Sequence, residues 1–251
     1  LFNSLDKRGY DCTVLSETIE RRSDKKIERR YQDLTSVFLA EFTHIFWFAG
    51  HSSVSKSKSD PIGAMRNNVI SLFELACKLP TDAKLVYASS ASVYSGIKDG
   101  KIASIGDGLF SSINEYDSSK KSFDLLMENV DFNAVGLRMG TVCGYSPKLR
   151  SELIFNAMNI SALEKKVVNV TNKNSFRTIL FLDDLLHIIL AQLETQCIDQ
   201  KFINVGSLNL SIGELAYTIA DFYGVPVVDQ GDTGTYSFLM SFEPCSQESL
   251  R

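Results

Sequence analysis

The chain has 251 residues, of which 44% are hydrophobic and 22% charged, and its formal net charge is -4. This is the profile of a folded globular chain able to bury a sizeable core. It lacks the basic excess that binding to nucleic acid or an anionic membrane surface would call for. Cys12, Cys77, Cys143, Cys197 and Cys245 are odd in number and scattered. His44, His51 and His187 show no ligand spacing. Reduced thiols, a cytoplasmic setting and no metal site are therefore expected.

In chain order, Leu1 and Leu5 share one face of a short helix that Gly9 stops. "CTVL" (12–15) and "THIFWFAG" (43–50) read as buried strands, with Phe46, Trp47 and Phe48 assigned to the core. "HSSVSKSKSDP" (51–61) reads as a solvated loop, or alternatively as a mobile loop over a ligand. "NNVISLFELACKL" (67–79) carries apolar residues at helical spacing. A strand (83–90), a helix (118–130) and a further strand (133–139) follow. Strands alternating with helices imply βαβ units, hence an α/β, doubly wound parallel sheet with helices on both faces.

After residue 144 the texture changes to a smaller mixed α/β region. It holds a helix at 152–166, short strands at 166–170 and 177–182, and a helix at 185–193 capped by Asp183 or Asp184. A strand at 201–207 and a Ser-initiated helix ending at Gly224 complete it. The expected division is 1–144 for a dinucleotide-binding domain and 145–251 for a substrate region, with some segments returning to the sheet. "TILFLDDLLHIILAQL" is the most apolar stretch, but Asp183 and Asp184 interrupt it and exclude a membrane span. A doubly wound sheet opens with a strand and a glycine-rich turn. Neither precedes residue 1, so the natural protein is expected to carry them upstream.

The chemistry rests on "INEYDSSKKSF" and "YASSASVYS". Tyr116 and Lys120 are four apart and share a helix face. A free phenol is a poor base at neutral pH, and a neighbouring ammonium is expected to favour its ionised form. Ser90 ends a buried strand, the edge at which α/β sheets place ligands. Together the three can move a proton on an alcohol or ketone while a hydride leaves or reaches the same carbon.

These segments, in this order, resemble the extended short-chain dehydrogenases/reductases, the NAD-dependent epimerase/dehydratase group of nucleotide-sugar enzymes. "YASSASVY" is similar to that family's S-S-x-x-V-Y and "YDSSK" to its Y-x-x-x-K. "DPIGAMRNNVISLFELA" is similar to its D-P-to-N-V helix, with Asn68 on the asparagine. "LRMGTVCG" is similar to L-R-x-x-N-V-Y-G, and "RTILFLDDL" to R-x-F-x-x-V-x-D. "FINVGSLNLSIGELAYTIADFYG" is similar to the family's N-V-G and S-x-x-E-L-A segment.

The resemblance implies a Rossmann-like fold, with Ser90, Tyr116 and Lys120 catalytic. It places Asp33, Leu34, Ala49, Gly50 and Ser89, with Tyr116 and Lys120, against NAD or NADP. Ser90, Thr141 and Arg177 fall against a nucleotide-linked sugar. It also implies a homodimer formed through two helices of the cofactor domain. Ser16 stands where NAD-preferring members carry Asp. Glu17 favours NAD, while Arg21 and Arg22 tip the expectation toward NADP. Thr141 replaces an asparagine. Ala91 and Ser92 replace the Asp-Glu pair of 4,6-dehydratases and disfavour dehydration. The expected activity is 4-keto reduction or 4-epimerisation. Reduction of a non-sugar carbonyl, or nucleotide binding without turnover, are the alternatives.

Overall fold

The computed structural model describes residues 2–16, 26–97, 101–107, 112–147, 149–195 and 200–243. Glu17, Arg21, Arg22, Cys197 and Cys245 lie outside the described residues. The strands are β1 (Val14–Ser16), β2 (Lys26–Glu28), β3 (His44–Trp47), β4 (Lys84–Ser90), β5 (Ile102–Ala103), β6 (Ala134–Met139), β7 (Thr141–Cys143), β8 (Val168–Val170), β9 (Phe176–Phe181), β10 (Phe202–Val205), β11 (Leu208–Ser211), β12 (Val227–Asp229) and β13 (Leu239–Met240). The α-helices are α1 (Phe2–Asp6), α2 (Ser36–Leu39), α3 (Val54–Ser59), α4 (Pro61–Met65), α5 (Ser71–Ala76), α6 (Glu115–Glu128), α7 (Ile154–Lys165), α8 (Leu182–Glu194) and α9 (Ile212–Tyr223).

The centre is a parallel sheet in the order β10-β6-β4-β3. Alternate residues of β4 divide between its two faces, as the pleat requires. Leu85 and Tyr87 join Leu72, Leu75, Phe123 and Met127 from α5 and α6. Val86 joins Leu137, Val205 and Ile189 of α8 on the opposite face. Burial on both faces explains why β4 and β6 read as continuous apolar runs. Each such side chain contributes about 1.5–3 kcal/mol through its removal from water. β1 and β2 form a separate parallel pair, not hydrogen-bonded to the four-stranded sheet among the described residues.

Beyond the β6–β7 junction, β9 pairs parallel with β7 and antiparallel with β11. β8 pairs with β12, and α7 and α9 pack beside them around a second core that includes Met158, Val170, Ile179, Leu215 and Ile219. β10 re-enters the main sheet beside β6. α9 starts as its sequence indicates. Ser211 and Glu214 form a reciprocal capping box, and Gly224 ends the helix at φ 63.

Several expectations are corrected. The 51–61 stretch is not a loop throughout. Ser53 caps α3 by accepting from Lys56 N, and Asp60 caps α4 by accepting from Gly63 N. The helix expected at 67–79 spans 61–76, because Pro61 starts it and its middle turn, Arg66–Ile70, is π-helical. Asp183 and Asp184 do not cap α8. Phe181 occupies the cap position, and the two acids lie in the first turn, where they favour the helix dipole. Asp184 accepts a hydrogen bond from Ser207. Phe48 is not core but 38% exposed. Among the described residues no helix is long and apolar enough to cross a membrane.

Candidate active site

A cavity of about 570 Å³ opens where β3, β4 and β6 end. Ala49, Gly50, Ser89, Ser90, Tyr116, Lys120, Thr141 and Arg177 all line it. Asp33 and Leu34 do not. Asp33 is exposed and pairs with Arg30 at 3.2 Å, while Leu34 is 4% exposed in the core beneath α5.

Ser90 closes β4 and accepts a hydrogen bond from Ser92 N at 3.1 Å, so its hydroxyl caps the short 3-10 turn Ala91–Tyr94. α6 begins further upstream than its apolar pattern indicates. Asn114 accepts from Asp117 N at 2.9 Å and caps the helix, which places Tyr116 in its first turn. Two ties hold that turn to the segment after Ser90. Ser95 Oγ donates to Asp117 Oδ2 at 2.8 Å, and Lys121 Nζ donates to the Ser95 carbonyl at 3.1 Å. The Ser90 hydroxyl lies close enough to the Tyr116 phenol to favour its ionised form. One helical turn on, Lys120 Nζ donates to the Ala88 carbonyl at 2.7 Å and lies 5.9 Å from the Tyr116 ring centre.

The electrostatics differ from expectation in one respect. Burial pushes the Tyr116 phenol up, the Ser90 hydrogen bond pulls it back, and Tyr236 and Asp117 push it further up. Lys120 is not among the main influences on it. Burial brings Lys120 itself down from 10.5 to about 8, with Asp124 opposing. Both groups are thus poised by desolvation, which disfavours the charged form of each.

The Ser89 hydroxyl donates to Asp124 Oδ2 at 3.0 Å. Gly50 has φ +121, and a Cβ there would fall 2.3 Å from Asn68 Oδ1. Asn68 is 2% exposed, and its amide donates to the His51 carbonyl at 3.0 Å and to Ser119 Oγ at 2.9 Å. The backbone after β3 is therefore pressed against the helix at a point where only glycine fits.

Arg177 occupies another wall. It donates to the Phe176 and Tyr236 carbonyls and to Thr235 Oγ1, and its guanidinium stacks 4.1 Å over the Tyr236 ring. Neither Asp183 nor Asp184 pairs with it, and burial lowers its pKa. A guanidinium on a cavity wall with no carboxylate partner among the described residues is suited to an anion. His51, Arg150 and Tyr236 also line the cavity and were not singled out for it from the sequence. Tyr236, Phe238 and Met240 alternate along one face, a period-2 signal in the sequence. His51 opens the 51–61 stretch, whose alternative reading is a loop over a ligand, while Arg150 sits in a polar stretch that carries no comparable signal.

A family model described as the NAD dependent epimerase/dehydratase family matches residues 1–206. No curated protein matches the chain by sequence. Among solved structures, it is similar to an NAD-dependent NDP-hexosamine 5,6-dehydratase, TunA, of tunicamycin biosynthesis, with 19% identity and a TM-score of 0.79 over 99% of this chain and 85% of that one. It is similar to the Thermus thermophilus UDP-glucose 4-epimerase in complex with NAD, with 18% identity and a TM-score of 0.74 over 97% and 86%. It is also similar to RMD from Pseudomonas aeruginosa complexed with NADPH, with 18% identity and a TM-score of 0.67 over 80% and 72%.

Proposed function

The chain belongs to the NAD dependent epimerase/dehydratase family, and on that premise we propose that it is a nicotinamide-dependent enzyme acting at a hydroxyl- or keto-bearing carbon of a nucleotide-linked sugar. The reaction is 4-epimerisation or reduction of a 4-keto group. The observation that carries this reading is convergence: Ser90, Tyr116 and Lys120, from a strand end and a helix, meet on one cavity that Arg177 also lines.

The cavity fits a dinucleotide on its own features. Gly50 presents backbone with no side chain in the way, and Lys120 brings a buried cation with one carbonyl partner. Ala49, Gly50, Ser89, Tyr116 and Lys120 would hold it, with Asp33 and Leu34 toward its adenine end. When bound, the nicotinamide supplies hydride-transfer capacity that no side chain offers. The chain's own residues move the proton. Tyr116 takes it from, or returns it to, the substrate oxygen. Ser90 hydrogen-bonds that same oxygen and favours the phenolate of Tyr116, and Lys120 holds the ribose of the dinucleotide. Arg177 holds the nucleotide diphosphate, with Thr141 near the sugar. Arg177 also weighs against a non-sugar carbonyl substrate, which has no such anion to bind. Ala91 and Ser92 weigh against 4,6-elimination, since neither carries a proton well near neutral pH. The NAD or NADP choice, with its expected lean to NADP, rests on Arg21 and Arg22.

The same reading makes the protein a homodimer. Ile62 is 72% exposed and Ile70 53% exposed on the 61–76 helix, and Leu125 of α6 is 48% exposed, so two neighbouring helices present apolar surface for a second copy. Incubating the protein with NAD(H) or NADP(H) and a panel of nucleotide hexoses and nucleotide 4-keto sugars, followed by product NMR, tests the activity. Turnover is expected in the parent. Tyr116→Phe is expected to abolish it while dinucleotide binding persists. Undiminished turnover in that variant refutes the assignment.

A further inference from the structure

Tyr116, Lys120 and Asp124 recur at one-turn intervals on α6. Each engages β4. Tyr116 sits beside Ser90, and Lys120 donates to the Ala88 carbonyl. Asp124 accepts from Ser89 Oγ at 3.0 Å and from Tyr87 OH at 3.3 Å, the residues on either side of Ala88. Asp124 is 1% exposed and also accepts from Arg138 Nε of β6 at 2.9 Å. Arg138 Nη1 donates to Tyr94 OH at 2.8 Å, and Tyr94 donates to Asn204 Oδ1 at 2.8 Å. One carboxylate therefore joins the helix of Tyr116, the strand of Ser90 and, through Arg138, the turn that Ser90 caps.

We propose that Asp124 is a positioning residue of this site: its buried carboxylate clamps the end of β4 that carries Ser90 and sets a negative charge one helical turn beyond Lys120 on the same helix face. The inference rests on the reading of Lys120 as the cation of a Ser-Tyr-Lys site. All three partners of Asp124 are donors, which favours a carboxylate over a carboxylic acid. Burial pushes its pKa up, and the Arg138 guanidinium pulls it down. Lys120 needs such a counter-charge, because a buried ammonium otherwise sheds its proton. The other titratable or charged groups on the elements packed about Lys120 include Tyr116, Asp117 and Lys121 on its own helix, Tyr87 on β4 and Arg138 on β6, and His51 lines the same cavity. Lys56, Lys58 and Arg66 lie on the elements packed against α6 and are exposed. Among these the Asp124 carboxylate is the one that works against the burial of Lys120.

The test reads Lys120 directly, by NMR titration of isotope-labelled lysine side chains in ligand-free protein, with Lys120→Met assigning the signal. In the parent the midpoint is expected at about 8. It is expected to fall in Asp124→Asn by on the order of one pH unit, and the alkaline limb of the pH–rate profile is expected to fall with it. Tyr87→Phe removes a neutral hydrogen bond, keeps the charge, and is expected to leave the midpoint in place. Should Asp124→Asn fail to fold, Asp124→Asn/Arg138→Gln removes both buried charges together and is expected to lower the midpoint too. An unchanged midpoint when the carboxylate is gone overturns the clamp even in an active enzyme. So does an equal shift in Tyr87→Phe. A midpoint lowered by Asp124→Asn, where the parent turns over no nucleotide sugar, upholds the clamp and removes the enzyme reading instead.

Discussion

Replacing Lys120 with Met should make the ligand-free protein more stable at neutral pH. The lysine is 8% exposed, and burial takes its pKa from 10.5 to about 8. That drop corresponds to about 3 kcal/mol against folding wherever the amine is protonated in both states. The sign follows from proton counts. Between about pH 8 and pH 10.5 the unfolded chain holds this proton and the folded chain does not, so stability rises with pH across that window. Below about pH 8 both states hold it and the full penalty stands. Met fills much the same volume without charge and forfeits the 2.7 Å hydrogen bond to the Ala88 carbonyl, a loss of about 1 kcal/mol. The variant is therefore expected to gain about 2 kcal/mol at pH 7. The gain should shrink as pH rises and be nearly gone by about pH 10. Urea unfolding of both proteins at a series of pH values measures the difference and cancels every other titration. A difference that does not change with pH, or a variant less stable at pH 7, refutes the idea that desolvation sets this amine.

Gly50→Ala is expected to cost about 2–4 kcal/mol, from backbone strain at positive φ and displacement of buried Asn68. In an Asn68→Ala background the cost should fall by about 1 kcal/mol, and strict additivity in urea unfolding would contradict the contact. Arg177→Met should raise KM for a nucleotide sugar by about 10- to 100-fold and leave dinucleotide binding untouched. Equal loss of both would move Arg177 off the substrate. Ser211→Ala removes one half of the α9 capping box and is expected to cost about 1 kcal/mol, seen as a fall in Tm of about 3 °C. A change within calorimetric error would show that the box adds nothing.

Much of this architecture was legible because local pattern and tertiary environment agree. β4 and β6 are buried on both faces, so their apolar runs stand out whatever the register. α9 announces itself through Ser211, Glu214 and Gly224. That Ser90, Tyr116 and Lys120 line one cavity was legible through order and spacing, since helix periodicity sets the last two on one face. What escaped notice was set by long-range partners. Nothing near Asp124 in the chain announces that Arg138 will meet it. The polar run 51–61 looks solvated until Ser53 and Asp60 are seen capping successive helices. The behaviour of Tyr116 was anticipated only in part, because periodicity reveals proximity to Lys120 but not the depth of burial that dominates both groups.

The π-helical turn Arg66–Ile70 has a consequence for how insertions and deletions act on this chain. Neighbours on a regular α-helix point about 100° apart, yet Asn67 and Asn68 both reach His51, one at its ring and the other at its carbonyl. A turn wound one residue wider resets the screw at this point. Upstream and downstream halves then run out of phase, so two adjacent amides serve the cavity rim while Leu72, Leu75 and Ala76 still face the sheet. The extra residue is absorbed within that turn, so removing one here would restore an unbroken α-helical ladder, leave those three apolar side chains facing the sheet, and cost the cavity rim one of its two amides.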